Sequence, residues 1–164
     1  MAKRTAAPGL PREARPTAPD GDRLLRFMRL IWSIDHELER VSKRMETSHG
    51  VTVAQRMTLL LIGRNPEASA AALAELMHVH AGTMSGILKR LEASGFIARK
   101  SHVNDARRHV LALTAKGTAV NRQRRGTFEN TVREVLRSHG RSEVAASERL
   151  LAALAARLRE TADA

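Results

Sequence analysis

The chain is 164 residues long, 43% apolar and strongly basic, with 28 Lys and Arg against 17 Asp and Glu for a formal net charge of +11. That length suits one domain or two small lobes sharing a core, and the apolar content is enough for a packed interior, which argues against global disorder. No cysteine is present, which excludes disulfides, thiolate-ligated zinc and thiol-based redox sensing.

The opening residues, MAKRTAAPGLPRE, hold no apolar signal core, and no later stretch is long enough to span a bilayer; the expectation is a cytoplasmic protein with no membrane partner. Pro8, Pro11, Pro16 and Pro19 all precede Asp20, so residues 1–20 read as a disordered basic arm. Its Lys3, Arg4, Arg12 and Arg15 either add affinity for phosphate or trail as a passive tail, the plainer reading.

Asp22 to about Ser48 is predicted as a long helix ended by Gly50. Phe27, Ile31, Ile34, Leu38, Val41 and Met45 repeat at alternating spacings of four and three, a heptad-like seam. A narrower stripe carries Leu25, Met28, Trp32 and His36. A helix with two apolar faces is not a simple surface helix; it is expected to lie between its own domain and a partner chain. Thr52 to about Arg64 is a second helix, and Ser69 is the N-cap of a third running to about Met77. His80 to Ala93 is a fourth, with Gly95 just past its end. Phe96–Ser101 and His109–Leu113 alternate and are short enough to pair as a hairpin. Two further helices are predicted, about Ala119–Ser138 and Ser142–Thr161.

Basic residues concentrate in the middle of this order. Between Ala81 and Arg125, Lys89, Arg90, Arg99, Lys100, Arg107, Arg108, Lys116, Arg122, Arg124 and Arg125 face only Glu92 and Asp105, a local +8. Such clustering is the electrostatic footprint of a phosphate-binding surface.

Helix, short helix, helix and hairpin in succession spell a winged helix-turn-helix. The fourth helix is narrow enough for a major groove, and its apolar face of Met84, Ile87, Leu88 and Leu91 anchors it. At 100° per residue the opposite face is Gly82, Gly86, Lys89 and Ala93, flanked by Thr83, Ser85 and Arg90. Two glycines in the middle of this face cost helix stability, about 1 kcal/mol each relative to Ala. Either they are tolerated imperfections, or small residues here let the helix backbone approach a groove while the neighbours make contacts; the basic surroundings favour the second.

The stretch LAELMHVHAGTMSGILKRLEASGFIARK followed by DARRHVLALTAKG resembles the MarR family of bacterial transcription regulators. Asp105, Arg107, Leu111, Leu113, Thr114 and Gly117 match that family's wing signature in register behind the helix-turn-helix, and the resemblance extends over about residues 22–160. It implies a homodimer on a pseudo-palindromic double-stranded operator, most often as a repressor. Residues 21–50 and 118–162 would then form the helical dimerisation region around a DNA-binding domain at 51–117. By position, Arg107 becomes the wing arginine that enters a minor groove, with Asp105 orienting it and Arg108 a further contact. The chemistry agrees, since arginine is favoured in a narrow electronegative groove and a nearby carboxylate can hold its guanidinium. Where many members open the recognition helix with Ser-Pro-Ser/Thr, this chain has His80-Ala81-Gly82-Thr83, and histidine is a mediocre N-cap.

The resemblance also implies release from DNA by a small aromatic or phenolic anion, with Met28, Trp32, Asp35 and His36 on the first helix and Arg56 and Met57 on the second as candidate pocket walls. Trp32 packed in a helix sandwich, and Asp35 as an interface ion-pair partner, are the plainer alternatives. His78-x-His80 and the pair His102 and His109 form no recognised metal-ligand set. Without GxSxG, HExxH, a phosphate-binding glycine loop or paired carboxylates in a cleft, neither an enzyme nor a cofactor is expected. The rival reading is a sequence-nonspecific architectural DNA-binder with no ligand response.

Overall fold

The structure, a computed structural model, describes residues 20–102 and 105–162, with the backbone alone at 20, 101–102 and 105–109. The expected basic arm, up to position 19, lies outside the described residues. The chain divides into two compact units, Met1–His36 and Glu37–Ala164. Among the described residues the order is α1 (Asp20–His49), α2 (Val53–Arg64), α3 (Ala70–Met77), α4 (Ala81–Ala93), β1 (Ile97–His102), β2 (Asp105–Leu113), α5 (Ala115–Arg122), α6 (Phe128–Arg137) and α7 (Arg141–Ala162). The fold is mainly helical with one antiparallel hairpin, as the apolar periodicities predict.

In the first unit the N-terminal part of α1 exposes Leu24, Leu25, Met28, Leu30, Trp32 and Ile34, while Phe27 and Ile31 are half-buried. The predicted seam continues in the second unit, with Leu38 and Val41 half-buried and Met45 fully buried. Gly50, at φ +72°, ends the helix in a left-handed conformation that suits glycine.

Helices α2, α3 and α5 each start at a residue whose side chain satisfies an orphan amide. Thr52 and Gln55 form a reciprocal capping box at α2. The Ser69 hydroxyl accepts from the Ala72 amide at 3.1 Å at the start of α3. The turn between α3 and α4 is made by His78, left-handed at φ +52°, whose amide closes back on α3. Met84, Ile87, Leu88 and Leu91 of α4 join Val51, Leu59, Ile62, Leu73, Phe96, Ile97 and Leu111 in one buried cluster. Burial of each large aliphatic side chain there contributes about 1.5–3 kcal/mol.

The largest differences from the sequence expectation are at the start of β2 and in the helices that follow it. Strand β2 begins at Asp105 rather than His109: pairing runs Ile97↔Leu113 to Ser101↔His109, then passes an irregularity to His102↔Asp105. Apolar alternation is confined to the His109–Leu113 half of the strand, and Asp105-Ala106-Arg107-Arg108 carries none, so the outer half of the pairing was invisible to it. The expected single helix at Ala119–Ser138 is two helices, because the chain breaks after Arg122, turns through Gly126 at φ +68° and restarts at Phe128. No helix among the described residues is long and apolar enough to cross a membrane.

Candidate nucleic-acid interface

The four buried positions of α4 fix which face it presents. Gly82, Thr83, Ser85, Lys89 and Arg90 are exposed and Gly86 is half-buried, which makes one face of hydroxyl, ammonium and guanidinium donors around two small residues. Neither glycine is there for the fold. A Cβ at Gly82 would meet nothing within 4 Å, and one at Gly86 would only touch Arg90 Nη2 at 3.7 Å. Neither has a positive φ. Arg90 Nε donates to the Gly86 carbonyl at 3.3 Å and so lies along the same face. His80, the N-cap, makes no side-chain cap bond, so the first amides of α4 have no side-chain acceptor and can serve an anion.

The hairpin is locked to the end of this helix by its own signature residues. Thr114 caps α5, its hydroxyl accepting from the Gly117 amide at 3.0 Å and donating to the Gly95 carbonyl at 2.7 Å. The Thr114 amide donates to the Phe96 carbonyl at 3.1 Å. Gly117 is buried against that same carbonyl, and a Cβ there would fall 1.9 Å from Phe96 O. Lys116, counted above with the phosphate-facing charges, donates from Nζ to the Ser94 carbonyl at 2.8 Å and sits 4.4 Å from the centroid of the Phe96 ring. Its charge is engaged at the base of the wing. Glu92 of α4 meets Arg99 of β1 at 3.5 Å, an exposed pair worth little energetically. The backbone places Asp105, Arg107 and Arg108 at the start of β2; their side chains lie outside the described residues, as do those of His102 and His109.

The candidate ligand-pocket residues fall in both units. On α1, Trp32 and His36 line a shallow cleft with Arg29 and Ser33; Met28, Trp32, Asp35 and His36 are all exposed, Trp32 at 77%. On α2, Met57 is partly exposed but Arg56 is 1% exposed, the largest fully buried side chain among the described residues. Its guanidinium is turned into the protein and engaged there. Nη1 donates to the Val120 carbonyl, Nη2 to Asn121 O at 3.2 Å and Gln123 O at 2.8 Å, and Nε to Glu129 Oε1 at 2.9 Å. Burial by itself would raise the Glu129 carboxyl, yet the hydrogen bond and charge of Arg56 hold it below the usual carboxylate range. The sequence held one sign of this: Arg56 stands on the stripe of α2 defined by the buried Val53 and Leu59. Its acceptors, more than sixty residues away, were beyond sequence reading. No group of three or more potential metal ligands occurs among the described residues.

Residues 49–108 match the MarR family model. Among curated proteins, the chain is 27% identical over 88 residues to the organic hydroperoxide resistance transcriptional regulator of Bacillus subtilis, covering 54% of this chain and 60% of that one. It is 29% identical over 119 residues to the HTH-type transcriptional regulator TtmR of Methylorubrum extorquens, covering 70% of this chain and 61% of that one. The chain thus spans about 60% of the length of these relatives. Among solved structures, it matches the Staphylococcus aureus MepR–DNA complex at TM-score 0.64 and 20% identity over 80% of this chain and 97% of that one. The Streptococcus pneumoniae FabT complex with DNA matches at 0.60 and 22%, over 85% and 97% respectively. These similarities show that the winged-helix fold is shared.

Proposed function

We propose that this chain, whose residues 49–108 match the MarR family model, is a MarR-family homodimeric transcription regulator that binds double-stranded DNA, acting as a repressor. The observation that carries the reading is the outward face of α4, a row of donors around two glycines that the fold does not require. Such a face suits close backbone approach to base edges in a major groove. The wing, locked to the end of α4 by Thr114, Gly117 and Lys116, carries Arg107 and Asp105 at the start of β2 towards the adjoining minor groove.

Dimerisation is supported by the apolar side chains exposed on α1, on α6 (Val132, Val135, Leu136) and on α7 (Leu150, Leu151, Leu158). That much apolar surface on one protomer marks an interface. Release by a small aromatic anion is supported by Trp32, with Met28, Asp35 and His36, on α1; Met57 remains a candidate, whereas Arg56 cannot supply the cation while it is bonded to Glu129 and three carbonyls. One relative is named for hydroperoxide resistance; these 164 residues hold no cysteine, so a thiol cannot carry such a response here. The cytoplasm, where a bacterial operator lies, is the setting this function requires.

Selection of bound fragments from a random double-stranded library tests the proposal. One enriched pseudo-palindrome, bound at least a thousandfold more tightly than random DNA, is the expected result. Comparable affinity for all duplexes would replace the regulator reading with the architectural one, for which the net charge of +11 alone speaks. A mass of two chains in light scattering, and release from the selected site by members of a panel of aromatic acids, check the dimer and the effector.

A further inference from the structure

The elbow between α5 and α6 carries an inference that rests on the DNA-binding reading. Helix α6 packs extensively on no other element among the described residues. Arg56, by contrast, projects from α2, which packs against α4 and α5 in the winged helix. Its guanidinium takes the carbonyls of Val120, Asn121 and Gln123 at the end of α5 and the carboxylate of Glu129 in the first turn of α6. A cation thus closes the negative end of one helix and pairs with an anion at the positive end of the next, each placement favourable to the helix it caps. Between them the chain turns through Gly126 at φ +68°, a residue that restrains its neighbours little. An aliphatic side chain of similar size at position 56 would fill the space and leave three carbonyls and a carboxylate without that donor. The tie suits the planar fork of arginine, which donates from Nε, Nη1 and Nη2 at once.

We propose that Arg56 and Glu129 form a clamp fixing the angle between the winged helix and α6, and hence the separation of the two recognition helices in the dimer. They are positioning residues for operator half-site spacing and touch no base. Because the chain has no cysteine, spin labels can be placed cleanly at Ala93→Cys on α4 and Arg137→Cys on α6, with labelled chain diluted into unlabelled. The wild-type background is expected to give one narrow distance distribution, and Glu129→Gln, which keeps shape and removes charge, a broader or shifted one. An unchanged distribution in the folded variant would overturn the clamp. The consequence is read separately, on the selected site with its central spacer lengthened or shortened by one and two base pairs. Wild type should lose at least about tenfold in affinity per step, whereas Glu129→Gln should discriminate less than about threefold. A lower melting temperature with the wild-type spacing profile would make the pair merely structural and refute the proposal. If wild type selects no site at all, the DNA-binding reading fails and the spacing claim with it, while the spin-label distances still report whether the clamp exists. Should Glu129→Gln not fold, Glu129→Asp, which keeps the charge but shortens its reach, takes its place in both measurements.

Discussion

Replacing Gly82 and Gly86 by alanine separates what the fold needs from what DNA needs. Both positions lie inside α4 with no positive φ, and both have room for a methyl group: nothing within 4 Å at Gly82, and an ordinary 3.7 Å contact with Arg90 Nη2 at Gly86. Alanine in a helix interior is about 0.8–1.0 kcal/mol better than glycine, and this applies in full at Gly86, whereas Gly82 is only the second residue of α4, so the double variant should gain at least about 0.8 kcal/mol. For a chain of this size that raises the melting temperature by roughly 2–4 °C or more, measurable by circular dichroism. Binding should move the opposite way. A methyl group between the helix backbone and the groove edge should cost at least about 1.4 kcal/mol, or tenfold in Kd, by fluorescence anisotropy on the selected operator. A more stable protein that binds as tightly as wild type would refute the close-approach argument, because the glycines would then be idle. A less stable one would show that α4 packs differently from the arrangement described.

Arg107→Ala should weaken operator binding and flatten its salt dependence by about one unit of log–log slope; titrations at several salt concentrations that superimpose on wild type would remove Arg107 from the interface. Gly117→Ala should be strongly destabilising, since the new methyl would fall 1.9 Å from Phe96 O and only backbone movement can relieve it. About 1–3 kcal/mol or more is expected from such overpacking, and an unshifted denaturation midpoint would contradict it. The Glu129 carboxyl is held below its unfolded value by Arg56. Its stabilising contribution is therefore complete above about pH 4.3, the ordinary glutamate value, and disappears as pH falls through the lower folded pKa. The stability gap between wild type and Glu129→Gln should close on acidification below that value; a gap constant from neutral pH into the acid range would show that the ion pair carries none of it.

Several elements of this chain were determined locally. The seam of α1, the capping residue Ser69 and the apolar face Met84–Leu91 could all be read from period and cap chemistry, because each depends on residues within a turn or two of itself. That is enough to specify a winged helix-turn-helix, and it also placed Gly82, Thr83, Ser85, Lys89 and Arg90 on the outward face. What the tertiary structure alone decided was which groups are already engaged. Lys116 reads as one more cation in a basic run, but the Ser94 carbonyl and Phe96 ring take it. Gly117 reads as one more member of the wing signature, but the backbone of Phe96 leaves it no room for a side chain. Arg56 reads as a possible ligand for an anion, yet it joins the carbonyls ending α5 to Glu129 of α6, where sequence periodicity shows an unbroken helix. In each case the deciding partner is a carbonyl or carboxylate brought in from elsewhere in the chain, and a backbone carbonyl has no identity in the sequence.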